Sequence, residues 1–284
     1  MSRRWIMPPP WSGTEGLAAR LNVSPLVAQV LHNRGLSEPQ EARRFLTPQR
    51  ADLSPPEAIP GVSQAADIVA RAIRQRRPIV IYGDYDVDGM TGTALLWRLL
   101  TLAGADVDFY IPHRLEEGYG LNSLAIRRLA EQGKRTLITV DCGATAEAEV
   151  ALARELSLEI VITDHHDLRG DPPRADAVVH PALADDQGLR NLCGAAVAFK
   201  LAWAVARMLS GSERVNPAFR DFLVDALGLV ALGTIADVVP LVGENRVLAH
   251  YGLQGLRASN HPGLRALIAS AGLENSDIDD QHAG

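Results

Sequence analysis

The chain has 284 residues, 47% hydrophobic and 22% charged, proportions that exclude a disordered or fibrous chain and allow a large buried core. Its two cysteines, Cys142 and Cys193, form no CxxC pair, which excludes a disulfide framework or a structural zinc site and fits a reducing compartment. The net charge of −6 divides unevenly, with 11 Lys/Arg against 6 Asp/Glu over residues 1–83 and 17 against 28 over residues 84–284. That balance fits an acidic enzyme with a mildly basic leader as well as it fits a basic approach to a phosphate backbone.

Residues 1–12, MSRRWIMPPPWS, lack the apolar stretch of a secretory signal. The longest apolar tract, Ala226 to Ala236, is too short to cross a bilayer. A cytoplasmic protein with no membrane partner is expected. Residues 1–60 read as a leader of small helices broken by prolines, without an independent core. One helix starts at Ser24-Pro25 and stops at Gly35; another starts near Ser37 and leads to Phe45 and Leu46. Pro48, Pro55, Pro56 and Pro60 make a linker-like passage.

The pattern then alternates. Strands are expected at Ile79–Tyr82, Val107–Ile111, Leu137–Val140, Ile160–Thr163 and Ala177–Val179. Helices are expected at Thr91–Leu102, Ser123–Gln132 (capped by Asn122 or Ser123) and Ala146–Leu156. Short apolar runs separated by helices imply an α/β fold, a parallel doubly wound sheet flanked by helices. From Val197 onward the reading is all-helical, through Phe199–Met208, Phe219–Leu232, Arg246–Leu256 and Leu264–Ala271. The expected division is a leader over 1–60, a catalytic domain over 61–240 and a helical connector over 241–284.

This layout gives the acidic residues their meaning. Asp84, Asp86 and Asp88 follow the first strand, Asp141 the third, and Asp164-His165-His166 the fourth, so all emerge on the edge where open α/β sheets collect ligands. Asp237 joins them from an apolar stretch, where a lone carboxylate is costly unless paired, bound to metal or capping a helix. Carboxylates with imidazole suit Mn²⁺ or Mg²⁺, and two such ions can clamp both oxygens of a phosphoester displacement. A metal-dependent phosphoesterase follows.

Each motif has a plainer reading. Asp84-x-Asp86-x-Asp88-Gly89 suggests an EF-hand loop, but its twelfth position is Leu95 and a strand precedes it. Gly83 and Gly89 bracket the turn, as positions where a Cβ would resist the backbone conformation. Asp141-Cys142-Gly143 alone reads as a helix cap, with Cys142 a small buried residue rather than a nucleophile. In Asp164-His165-His166, one imidazole can ligate metal while the other meets substrate, Asp164 orienting a ring; solvated loop histidines are the plain alternative. His113 and Arg114 stand at a strand end where they can touch phosphate. Lys200 reads as a phosphate contact or a surface charge.

Together, Tyr82-Gly-Asp-Tyr-Asp-Val-Asp-Gly89, Val140-Asp-Cys-Gly143, Thr163-Asp-His-His166 and Gly233-Thr-Ile-Ala-Asp-Val-Val-Pro-Leu241 resemble the DHH phosphoesterase superfamily. Ile111-Pro-His-Arg114, Glu117-Gly-Tyr-Gly-Leu-Asn122, Leu192-Cys-Gly-Ala-Ala-Val-Ala-Phe-Lys200 and the leader around Ser24-Pro25 and Asn33-Arg-Gly35 narrow the likeness to its single-strand-specific DNA exonucleases. The resemblance implies 5′-to-3′ digestion of single-stranded DNA to mononucleotides in repair and recombination, with two Mn²⁺ or Mg²⁺ ions. Single-strand-binding protein and a recombination helicase are the implied protein partners. Asp86, Asp88, Asp141, His165 and Asp237 would be metal ligands, with Asp84 a ligand or close support. Asp141 and Asp237 would bridge the ions, and His166 would face the scissile phosphate. Two departures stand out: Tyr82 occupies a position that is often a metal-binding His, and Ala196 one that is commonly Gly. Family members continue into a glycine-rich, His-containing lobe and an OB fold, so a truncated catalytic core with low DNA affinity is expected. The competing readings are a phosphodiesterase for short oligonucleotides or nucleotides and a non-catalytic nucleic-acid or replisome binding module.

Overall fold

A computed structural model describes residues 6–212, 214–274 and 276–284. The reading of residues 1–12 as no secretory signal therefore lies partly outside the described residues. The chain forms two compact units, Met1–Leu53 and Ser54–Gly284.

In the first unit, helices α1 (Thr14–Leu21), α2 (Pro25–Asn33) and α3 (Pro39–Leu46) enclose Leu17, Ala18, Leu31, Ala28 and Ala42. The leader thus has a small core of its own, where the sequence reading expected none. Ser24 caps α2 through the Val27 N–H, as its position before Pro25 requires. Ser37 does not cap α3: the cap residue is Glu38, and the Ser37 hydroxyl meets His32 Nδ1 at 2.8 Å.

The second unit is a five-stranded, wholly parallel sheet in the order β2-β1-β3-β4-β5. Its strands are β1 (Ile79–Tyr82), β2 (Val107–Tyr110), β3 (Thr136–Thr139), β4 (Glu159–Thr163) and β5 (Ala177–Val179). Helix α4 (Val62–Arg74) precedes the sheet; α5 (Val87–Leu102), α6 (Ser123–Glu131) and α7 (Glu147–Glu155) make its crossovers. Residues alternate across a strand. Val80, Tyr82, Leu137, Ile160 and Ile162 therefore pack with α6 and α7 on one face, leaving Ile79, Ile81, Ile138 and Val161 for the other. That other face is covered by α5, α4 and the long helix α8 (Gly194–Ser210). Helix α9 (Pro217–Ala236) packs on α5 and α8, and α10 (Gly243–Ala258) on α9; α11 (Pro262–Ser270) and α12 (Asp280–Ala283) follow.

Because α5 leads from β1 to one side and α6 returns past β1 to β3, the winding direction reverses between β1 and β3. A crevice opens there at the carboxyl ends of the strands. No helix among the described residues is long and apolar enough to cross a membrane.

Candidate metal centre

Three strand ends and one helix end build the site. After β1 the chain turns into α5, with Asp86 as its cap: Asp86 Oδ1 accepts the Gly89 N–H at 2.9 Å. Gly83 and Gly89 are required here for a reason other than the one expected. Neither has a positive φ, but a Cβ on Gly89 would sit 2.6 Å from Asp84 Cβ, and one on Gly83 would lie 2.0 Å from Thr93 Oγ1. The constraint is close approach.

Asp88, in the first turn of α5, is 1% exposed and points at the start of α8. Its Oδ2 accepts the Gly194 N–H at 2.5 Å and its Oδ1 the Ala195 N–H at 2.9 Å. Each oxygen keeps a lone pair for a cation while the helix N-terminus stabilises the charge. Asp141, directly after β3, adopts φ 64° and is 1% exposed. It does not cap α7, whose cap position is Ala146, so the plain reading of that motif fails. Asp237 ends α9 and is partly exposed.

His165 and His166 follow β4. His165 Nε2 lies 3.1 Å from Asp141 Oδ1, 3.6 Å from Asp237 Oδ2 and 3.8 Å from Asp88 Oδ2. Asp164 is the hub of this turn. Its Oδ1 accepts the N–H groups of His165 and His166 and meets His166 Nδ1 at 2.8 Å; its Oδ2 accepts the Ala144 N–H. Burial pushes the Asp164 carboxyl up, but the His166 ring and these N–H groups outweigh it and hold it below the usual range. The same Asp164 bond raises the His166 imidazole above its ordinary value. The His166 side chain is 44% exposed.

Among the described residues, ligand atoms converge in three groups, Asp84/Asp86/Asp141, Asp141/His165/His166 and Asp88/His165/Asp237, each with its atoms within 4.8 Å of one another. Asp141 and His165 belong to two groups each, and Asp237 to one. Asp84 Oδ1, Asp141 Oδ1 and His165 Nε2 are buried and have no hydrogen-bond partner among the described residues. The 3.1 Å approach of the last two brings them together without hydrogen-bond geometry. Burial, together with the Asp88 and Asp86 carboxylates, pushes Asp141 up to about 10, and burial raises Asp84 and Asp237 as well. Such crowding of desolvated carboxylates is costly on its own. Orphaned oxygen and nitrogen donors aimed at common points fit hard divalent cations such as Mn²⁺ and Mg²⁺.

Tyr82 is in none of these groups. Its hydroxyl donates to the Gly120 carbonyl at 3.0 Å and accepts from Asn122 Nδ2 at 3.2 Å, so it anchors the loop between β2 and α6. Glu117 gathers that loop by accepting from the Tyr110 hydroxyl, the His113 N–H and Asn122 Nδ2. On it, Tyr119 donates to the Asp141 carbonyl at 3.2 Å and stands 3.0 Å from His166 Nδ1. His113 and Arg114 are exposed, the guanidinium 5.1 Å from the Tyr85 ring.

Lys200 corrects the sequence reading. It is neither a surface charge nor open to a phosphate, being 0% exposed. Its Nζ lies 2.6 Å from Glu244 Oε2 and donates to the Ser54 carbonyl at 2.7 Å. Burial lowers its pKa against the pull of Glu244. A buried cation without a carboxylate partner would be far costlier, and that partner comes from α10.

Sequence reasoning also missed His180, which is fully buried at the end of β5. It missed Gly194 and Gly233 as well, where a Cβ would fall 2.5 Å from Asp141 Oδ1 and from Asp88 Oδ1. The glycines were visible only as parts of motifs.

Residues 78–234 match the DHH family, N-terminal domain. The single-stranded-DNA-specific exonuclease RecJ of Bacillus subtilis is 41% identical over 283 residues, covering 99% of this chain and 34% of that protein. A crystal structure of RecJ from Thermus thermophilus with Mn²⁺ superposes with a TM-score of 0.79 at 35% identity, covering 97% of this chain and 38% of that one. The same protein with Mg²⁺ gives 0.68 at 33% identity, over 97% and 34%. The chain thus spans little more than a third of these relatives. With its doubly wound parallel sheet and its acid-and-histidine cluster at the β1/β3 crevice, the chain belongs to the DHH family.

Proposed function

We propose that this chain is the catalytic core of a RecJ-type nuclease, hydrolysing single-stranded DNA from the 5′ end to 5′-mononucleotides with two Mn²⁺ or Mg²⁺ ions. The carrying observation is the pair of shared, orphaned ligand atoms, Asp141 Oδ1 and His165 Nε2, each standing between two groups of donors. When bound, two such cations supply Lewis acidity at both the attacking and the leaving oxygen of a phosphoester. In this reading Asp86, Asp88, Asp141, His165 and Asp237 hold the ions, with Asp84 as a further ligand or close support.

His166, held by Asp164 and raised toward its charged form, faces the scissile phosphate and stabilises its growing charge. His113 and Arg114 bring positive charge to the strand being digested. Residues 61–240 carry the chemistry, and 241–284 serve as a helical connector. Repair and recombination in the cytoplasm, beside single-strand-binding protein and a recombination helicase, complete the proposal.

The test is release of mononucleotide from single-stranded DNA labelled at the 5′ or the 3′ end, with and without Mn²⁺, for the chain and its Asp141→Ala variant. The expected result is early mononucleotide release from the 5′ label only, Mn²⁺-dependent and at least about 100-fold slower in the variant. No release, or equal release by the variant, contradicts the proposal.

A further inference from the structure

Beyond Thr163↔Val179, the last β4–β5 pair, the two strands part. The chain after β4 then has to present His166 without ladder support. The backbone keeps one more bond, from the Asp164 N–H to the Val179 carbonyl at 3.3 Å. After that a side chain takes over. His180 lies fully buried at the end of β5, and its Nδ1 accepts the Ala182 N–H at 3.1 Å. An Nδ1 that accepts carries no proton, so the hydrogen is on Nε2. That Nε2 is 2.8 Å from the His166 carbonyl oxygen and donates to it.

We infer that His180 is a positioning residue for the reaction, fixing the His166 backbone so that its imidazole is presented at one angle. Asp164 holds the His166 N–H and ring Nδ1; His180 holds the carbonyl. With the residue held at its N–H, its carbonyl and its ring Nδ1, the imidazole is presented at one setting. The Ala182 N–H locks the His180 tautomer, so the donor cannot turn into an acceptor. The segment that follows, residues 167–176, contains Gly170 at φ 135° and is exposed at half of its positions.

The inference rests on the role given to His166 above, and its test separates the two. His180→Gln places an amide N–H where Nε2 stands; His180→Asn keeps only an acceptor near Nδ1. The 284-residue chain and both variants are compared for kcat, KM, thermal melting and Mn²⁺ affinity by calorimetry. Imidazole tautomers and His166 ring signals are read from long-range ¹H–¹⁵N spectra.

His180→Asn should lose roughly 10- to 100-fold in kcat with KM and Mn²⁺ affinity little changed, and broaden the His166 signals. His180→Gln should restore most of kcat and a single sharp set. An equal fall in both variants, or none in His180→Asn, overturns the inference. So does a parent spectrum with the His180 proton on Nδ1. If the parent chain is inactive on DNA the functional reading fails, while the His166 spectra still decide whether His180 positions it.

Discussion

Asp141 is buried beside two other carboxylates of the site. Without a cation its carboxyl is pushed up to about 10 by burial and by Asp88 and Asp86. Its folded pKa lies above its unfolded value, so the folded state binds a proton that the unfolded chain releases. The associated stability is complete below about pH 4 and is lost as pH rises toward about 10. With chelator present, Tm should therefore fall by roughly 5 °C or more between about pH 5 and about pH 9. Mn²⁺ should restore more of it at the alkaline end, since metal binding displaces that proton. A flat chelated profile by differential scanning calorimetry would contradict this account of Asp141.

Asp84, Asp86, Asp88, Asp141 and Asp164 were legible as one set because they follow short apolar runs that form parallel strands ending on one edge, whereas Asp237 ends helix α9 and stood out only by its apolar surroundings. Lys200 was not legible as a buried ion, because burial depends on Glu244, far along the chain, which periodicity cannot pair with it. His180 showed in sequence only as a residue after a strand, since its meaning lies in one bond to His166.

At the scale of elements, three helices meet at the site through two glycines. The start of α8 caps Asp88 of α5, and Gly233 of α9 leaves room for that same carboxylate and for Ala195. Gly194→Ala and Gly233→Ala should each destabilise the chain by about 1–3 kcal/mol. Each should also weaken Mn²⁺ binding about tenfold, by displacing the Asp141 or the Asp88 carboxylate. Chemical denaturation and calorimetry check this; unchanged Mn²⁺ affinity in both would remove the glycines from the site.

All five strands were recognisable from their short apolar runs, with ends shifted by at most about a residue. Helix α4 went unrecognised although Val62, Ala65, Ala66, Val69 and Ala72 repeat at helical spacing and are buried. Its alanines give a weak apolar contrast, and the proline-rich passage before it reads as linker. The leader's own core escaped notice for a similar reason: three of its five buried residues are alanines.

At the scale of the molecule, Lys200, Glu244 and Ser54 tie together the beginning, middle and end of the second unit. Glu244 Oε1 accepts the Ser54 N–H, and Lys200 Nζ donates to the Ser54 carbonyl. Glu244→Leu should cost roughly 3–5 kcal/mol by stranding the lysine. Adding Lys200→Met should recover most of that loss, which denaturant titrations of both variants would show. The net charge, by contrast, said little. Several of the acids that make it negative lie where cations are proposed to bind, so the bulk value overstates the negative charge of the ion-loaded molecule.

One crevice, at the β1/β3 reversal, is proposed to hold two divalent ions through the shared residue Asp141. Calorimetric titration of the chelator-treated chain with Mn²⁺, beside its Asp141→Asn variant, tests this most directly. About two Mn²⁺ per chain are expected, with loss of at least about 100-fold in affinity at both sites in the variant. A single site, or a variant that binds as the parent does, would contradict it.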